Sequence, residues 1–204
     1  MSGSASTSPR GGALADPPPW PAFDALFVAV AVALGYLLVS VPNVELLTFA
    51  VFAAGFVLGR ARGAIVGAVA MAVYSAMNPV GSGLALPTLF AAQVAATAFC
   101  GLAGGMARGL RTIGSLGASP GAAAAAIGGG LGLGLTLVYQ SAVILGLAAA
   151  APEFRTGALA AVAANAVFSI VHLVSNAAVF AVLTPLVLPR LVRMVAGRFS
   201  GRHG

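Results

Sequence analysis

The chain is poor in charge. Only 7% of its 204 residues are Asp, Glu, Lys or Arg, against 60% hydrophobic residues and a mean hydropathy of +1.03. A soluble domain carries about 25% charged residues, so a water-soluble globular fold is excluded and an integral membrane protein follows. Lysine is missing altogether, and the ten basic residues are all arginine. They stand at the ends of apolar runs, so the net charge of +6 reads as a topology signal rather than a nucleic-acid surface. The single cysteine, Cys100, lies in an apolar run and offers neither an intrachain disulfide nor a cysteine metal cluster.

Missing motifs exclude further classes. A Walker A sequence is absent, so the chain does not bind ATP in the P-loop manner, and no His-Glu-x-x-His is present. Neither an acidic nor an arginine pathway repeats through the apolar body, as a pump or voltage sensor requires. Ser82 and His172 stand where a rhomboid-type serine–histidine dyad would place them. However, Val80 replaces the glycine of Gly-x-Ser, and Leu173-Val174-Ser175 follows His172 where a glycine pair belongs. An intramembrane serine protease is therefore a minor alternative, and no catalytic residue and no metal ligand is assigned.

What is present is a series of apolar runs. Residues 1–21 are rich in Ser, Gly and Pro and read as a disordered tail, with Trp20 as an interfacial anchor. Phe23–Val41 is long enough for one crossing of about 30 Å of hydrocarbon. Val44–Leu58 and Gly63–Met77 are shorter and are read as two further spans; a re-entrant hairpin is the alternative. Leu84–Met106 is the fourth, Gly121–Ala150 contains the fifth, and Gly157–Leu188 holds the sixth, ending towards Pro185 and Pro189. Residues 190–204 form a basic tail. Arg10, Arg60, Arg62, Arg108, Arg111, Arg190, Arg193, Arg198 and Arg202 then fall on one side, and Arg155 alone on the other. Nine against one predicts an all-α membrane domain over residues 22–189, a bundle of six transmembrane helices with both termini cytoplasmic.

Glycine spacing supports close packing. Gly55, Gly59, Gly63 and Gly67 recur every four residues, as do Gly101/Gly105, Gly128/Gly132 and Gly130/Gly134, the small-xxx-small pattern of helix contacts in lipid. Polar residues inside apolar runs need partners there, so they are either helix–helix contacts or a site. Asn165, Ser169, His172 and Asn176 are spaced 4, 3 and 4 and share one helical face. Gln93 and Thr97 lie one turn apart, Tyr74 and Asn78 likewise. Tyr139 and Gln140 are adjacent, so only one of them is expected to face a cavity. Glu45 is the only acidic residue within the apolar body apart from Asp24 at its edge and Glu153 in a loop, and is suited to a helix N-terminus or to contact with a solute at an outer mouth.

Pro42-Asn43-Val44-Glu45, the Gly59…Gly63…Gly67 hairpin, Asn78-Pro79…Gly83 and Pro87…Gln93 together resemble the substrate-binding (S) component of energy-coupling factor transporters. The resemblance covers about Phe23 to Leu188 and is most specific in Pro42–Gly105. It implies six helices, cytoplasmic termini, and a solute site near the outer face closed by loops at Ser40–Glu45, Asn78–Leu86 and Ala150–Gly157. It further implies that Ala29 and Ala33 dock an energy-coupling transmembrane subunit, served by two ATPase subunits. Solute contacts then fall on Gln93, Tyr139, Gln140, Asn165, Ser169 and His172, with Glu45 and Asn78 added from the outer mouth. The His-rich terminus of the cobalt and nickel members is absent, which favours a vitamin-like organic solute. The expectation is a non-enzymatic binding subunit without a cofactor, in a bacterial inner membrane. A stand-alone secondary transporter is the main alternative.

Overall fold

The computed structural model describes residues 20–41, 44–78, 83–109, 121–150 and 166–200. Among these every regular element is helical: α1 Trp20–Leu37, α2 Leu47–Leu58, α3 Arg60–Ala76, α4 Pro87–Gly109, α5 Ala122–Ala150 and α6 Ala166–Ser200, with a 3-10 turn at Gly83–Ala85. Three segments are long and apolar enough to cross a membrane: Pro87–Arg108, Ala122–Ala150 and Ala166–Val195.

Contacts between helices set their directions. Asp24 meets Arg62 and Tyr36 meets Tyr74, so α1 and α3 run the same way. Gly67 lies against Thr97, and Gly105 against Arg60, so α4 runs against α3. Thr88 donates to the Gly146 carbonyl (2.9 Å) while Tyr139 lies beside Gln93, which sets α5 against α4. Gly128 touches Phe180 and Gln140 bonds to Ser169, which sets α6 against α5. Successive helices therefore alternate in direction.

The centre is α2. It has 12 residues, apolar all round, and every one from Leu47 to Val57 is buried. A helix apolar on all sides belongs in an interior. At 1.5 Å per residue it spans about 18 Å, short of a 30 Å hydrocarbon core. Its enclosure removes that mismatch, because its neighbours and not lipid surround it. Large exposed apolar residues lie instead on the other helices, among them Leu26, Ile65, Phe99, Leu145, Phe168 and Val174.

Glycines make this enclosure possible. A Cβ on Gly55 would stand 1.8 Å from the Gly101 carbonyl oxygen, and one on Gly101 would stand 2.0 Å from that of Gly63. On Gly104 it would meet the Phe52 carbonyl at 2.0 Å. Helices α2, α3 and α4 thus touch backbone to backbone. Gly59 differs from its ladder partners: its surroundings are open, but φ is +97°, which the one-residue bend between α2 and α3 requires. Of the α5 pairs, Gly128 and Gly132 pack against α6, whereas Gly130 and Gly134 face open space.

Two expectations change. The sixth helix does not end towards Pro185 and Pro189 but runs through both to Ser200, taking in the first part of the basic tail. Thr184 and Leu188 are buried on either side of Pro185, so side-chain packing holds the helix together where proline removes backbone bonds. Arg190 and Arg193 fold back to donate to the Leu186 and Pro189 carbonyls. In the second span, helix begins only at Leu47, because Glu45 is used before it. Its Oε2 accepts from the Thr48 N–H at 2.8 Å, satisfying a free donor of the first turn. At the opposite end Arg108 donates to the Val57 carbonyl at 2.8 Å. Arg62 holds Asp24 through two guanidinium nitrogens, the shortest contact being 2.7 Å. One end of the bundle is thus basic and tied together by arginine.

Packing at backbone contact yields a testable contrast. Gly101→Val is expected to lower the melting temperature of the detergent-solubilised protein sharply, by an overpacking cost of at least about 1–3 kcal/mol. Gly130→Val, which fills open space, is expected to leave it nearly unchanged. Equal effects from the two would refute the close-contact description.

Candidate functional site

The end opposite the arginines collects polar side chains. Asn176, on α6, is 1% exposed and acts as the hub. Its Nδ2 donates to Glu45 Oε1 at 3.1 Å and to Thr136 Oγ1 at 2.9 Å, and lies 3.2 Å from His172 Nε2. Thr136 already donates to the Gly132 carbonyl at 2.7 Å, so towards Asn176 its hydroxyl oxygen accepts. That requirement, with the acceptor-only carboxylate of Glu45, fixes which way the Asn176 amide points. Glu45 Oε1 also lies 3.8 Å from His172 Nε2.

Gln140 completes the cluster from α5. Its Nε2 donates to the Ser169 carbonyl at 3.2 Å and stands 3.3 Å from His172 Nδ1. The Tyr139 ring packs edge-on against the imidazole, with centroids 6.0 Å apart. On α4, Gln93 Oε1 accepts from Ser75 Oγ at 2.8 Å. Gly83 lies against this pair; a Cβ there would meet Ser75 Oγ at 2.0 Å. At the end of α3, Asn78 pairs with the Tyr74 hydroxyl.

The sequence candidates are therefore sorted by geometry. Glu45, Gln140 and His172 come together, Ser169 joins through its carbonyl, and Tyr139 and Gln93 flank them. Tyr139 and Gln140 do not divide as expected: both reach His172, because the ring on the facing helix is wide enough to meet two neighbouring positions. Asn78 sits with Tyr74 and Tyr36 instead, in a separate cluster where the Tyr36 hydroxyl donates to the Tyr74 carbonyl at 3.2 Å. Asn165 lies outside the described residues, as does Ser82. Ala29 and Ala33 are exposed and line an apolar groove between α1 and α3 with Ile65, Val69 and Val73, whereas Ala31 and Gly35 on the other face of α1 pack inward.

Sequence reasoning missed Thr136 and Ser75, and placed Asn176 on the stripe without making it central. A signal existed for Thr136: Gly132, Thr136 and Gln140 recur every four residues on one face of α5, matching the α6 stripe. The cluster as built is a set of amide, hydroxyl, imidazole and carboxylate groups, a chemistry able to hydrogen-bond a small polar molecule. Comparison with protein-family models, with curated proteins and with solved structures finds no match to this chain.

The hub position predicts a measurable cost. Asn176→Leu removes the donor to Glu45 and leaves Thr136 without its interhelical bond, so stability is expected to fall by about 2 kcal/mol. Thermal unfolding in detergent measures it; an unchanged melting temperature would remove Asn176 from the centre of the network.

Proposed function

We propose that this chain is the substrate-binding membrane subunit of an ATP-driven importer of the energy-coupling factor type, serving a vitamin-like small organic solute. The observation that carries the reading is the gathering of polar groups from α2, α4, α5 and α6 at one end of a bundle whose opposite end is basic and closed by backbone contact. Such a molecule holds a solute at one face and offers it no way through. Movement to the other side then needs work from elsewhere, and the chain has no P-loop with which to supply it. The proposed work comes from two ATPase subunits acting through an energy-coupling transmembrane subunit. Ala29 and Ala33 are the docking candidates, and their exposure on α1 suits that role.

In this reading all six helices cross a bacterial inner membrane with both termini cytoplasmic. The alternating helix directions and the arginines at one end support that topology. Helix α2 crosses as an enclosed strut, not as a lipid-facing span. The outer segments that the resemblance implies, Ser40–Glu45, Asn78–Leu86 and Ala150–Gly157, fall partly outside the described residues. The binding role is non-enzymatic: Glu45, His172, Gln140 and Asn176 orient the solute, and the tyrosines cover it.

A secondary transporter is the second reading, favoured by one observation: Glu45 and His172 form a titratable pair within the helical bundle, of the kind that couples proton movement. Uptake separates the two. The chain alone in liposomes is expected to give no solute accumulation under a proton or sodium gradient, and accumulation only when the transmembrane and ATPase subunits are added with ATP. Gradient-driven uptake by the chain alone would establish the second reading instead.

Topology has its own test. In a Cys100→Ser background, Met77→Cys is expected to react with a membrane-impermeant maleimide in intact cells, and Arg60→Cys only after permeabilisation. Labelling of both from the same side would overturn the six-span arrangement.

A further inference from the structure

The end of the bundle that holds the polar cluster carries a negative charge that no described arginine answers; the basic side chain beside the Glu45 carboxylate is His172, 3.8 Å away. The described arginine side chains lie elsewhere: Arg60 opens α3 beside Gly105, Arg62 is bound to Asp24, Arg108 to the Val57 carbonyl, and Arg190 and Arg193 to carbonyls late in α6. Glu45 Oε2 accepts from the Thr48 N–H and Oε1 from Asn176, and the Thr48 and His172 side chains stand by the carboxylate as further hydrogen-bond partners. An ionised carboxylate has about four acceptor positions, and the Glu45 side chain remains 22% exposed.

His172 does not supply the missing cation. Gln140 Nε2 faces its Nδ1, and the orientation of that amide is fixed by the Ser169 carbonyl, which only accepts. Asn176 Nδ2 faces its Nε2, and that amide is fixed by Glu45 and Thr136. Both hydrogens of Asn176 Nδ2 are committed to Glu45 and Thr136, so the amide donor that the ring meets is that of Gln140, at Nδ1. An imidazolium has two N–H groups and no acceptor, so a charged ring would set donor against donor at Nδ1. The hydrogen-bond pattern fits a neutral ring that accepts at Nδ1 from Gln140.

Two further features point the same way. Asn176 Oδ1 is buried without a hydrogen-bond partner, an acceptor at the heart of the cluster that awaits a donor. In addition, the three tyrosines of the chain all lie at this end: Tyr36 and Tyr74 with ring centroids 5.0 Å apart, and Tyr139 against His172. Aromatic rings at the same end of the bundle as a carboxylate are suited to covering the apolar part of a cationic solute.

We propose that the solute is an organic cation, whose positive nitrogen is held against Glu45 in the cluster formed with Asn176 and His172. This rests on the reading of the chain as a binding subunit and names the class of solute that subunit takes. Glu45 supplies the charge, Asn176 orients the carboxylate, and the tyrosines cover the apolar part of the solute. An anionic solute meets the same carboxylate and is repelled, so the site discriminates by charge before shape.

The test uses the full chain in lipid nanodiscs. Benzamidinium, benzamide and benzoate form a matched cation, neutral and anion series, and thermal stabilisation by each is measured on the wild type and on Glu45→Gln. Any small molecule released on denaturing the purified wild type is identified by mass spectrometry, and where one is found its charge decides. The expected result is a released cation, or stabilisation by benzamidinium above benzamide and benzoate, with the affinity for the cation falling at least about tenfold in Glu45→Gln. A released neutral or anionic solute, or any other order in the series, overturns the cation assignment and leaves the binding-subunit reading in place. No released solute together with no stabilisation by any of the three overturns both. If Glu45→Gln does not fold, the wild-type order alone decides.

Discussion

A backbone amide buried away from water must find its partner within the protein, and α2 is where that constraint presses hardest. Each unsatisfied N–H or C=O there costs about 1–3 kcal/mol, and a 12-residue helix has free groups at both ends. The chain answers at one end with Glu45, whose carboxylate takes the Thr48 N–H, and at the other with Arg108, which donates to the Val57 carbonyl. Both caps come with charge. The caps of the short central helix thus place a carboxylate at one end of the bundle and a guanidinium at the other, and the polarity of the whole molecule follows that of its core.

Enclosing α2 dictates how close its neighbours come. The carbonyls of Phe52, Gly63 and Gly101 all lie within 2.0 Å of where another glycine's side chain would begin. Contacts of this kind bring α3 and α4 onto α2 and leave no space for a passage between them. On the α6 side the fit is looser and aromatic: Phe180 stands edge-on to Phe49 and Phe52, with centroids 5.2 and 5.4 Å away. The bundle is therefore rigid where α2, α3 and α4 meet. The Glu45–His172–Asn176–Gln140 cluster lies at the end where α5 and α6 meet the start of α2.

Much of this was legible in the chain. The four-residue glycine ladder announced contact between α2, α3 and α4, because only small residues admit backbones so close. The arginine positions marked the basic end. The 4, 3, 4 spacing of the α6 stripe announced a polar face, and His172 and Asn176 are the buried members of it. Other features were not legible, for physical reasons. Gly59 belongs to the ladder by spacing, yet serves the bend through its positive φ, and spacing carries no information on backbone angle. Pro185 and Pro189 read as a helix end, and only burial of Thr184 and Leu188 against other helices overrides that local preference. The meeting of Glu45 with Asn176 spans 131 residues, and no local pattern encodes it.

The composition of the polar cluster argues against a purely adhesive role. Interhelical hydrogen bonds in membranes average about 0.6 kcal/mol, and a pair of neutral groups such as Thr136 and Asn176 already provides that adhesion. A carboxylate adds little to it, while removing a charge from water costs on the order of several kcal/mol. Glu45 escapes part of that cost by staying partly exposed and by capping α2, but a serine or threonine before Leu47 would cap the helix with no charge at all. What the carboxylate alone provides is a fixed negative group, kept within reach of solvent and held in place by two donors from different helices. Adhesion has no use for that combination, whereas the proposed recognition of a charged small molecule would depend on it.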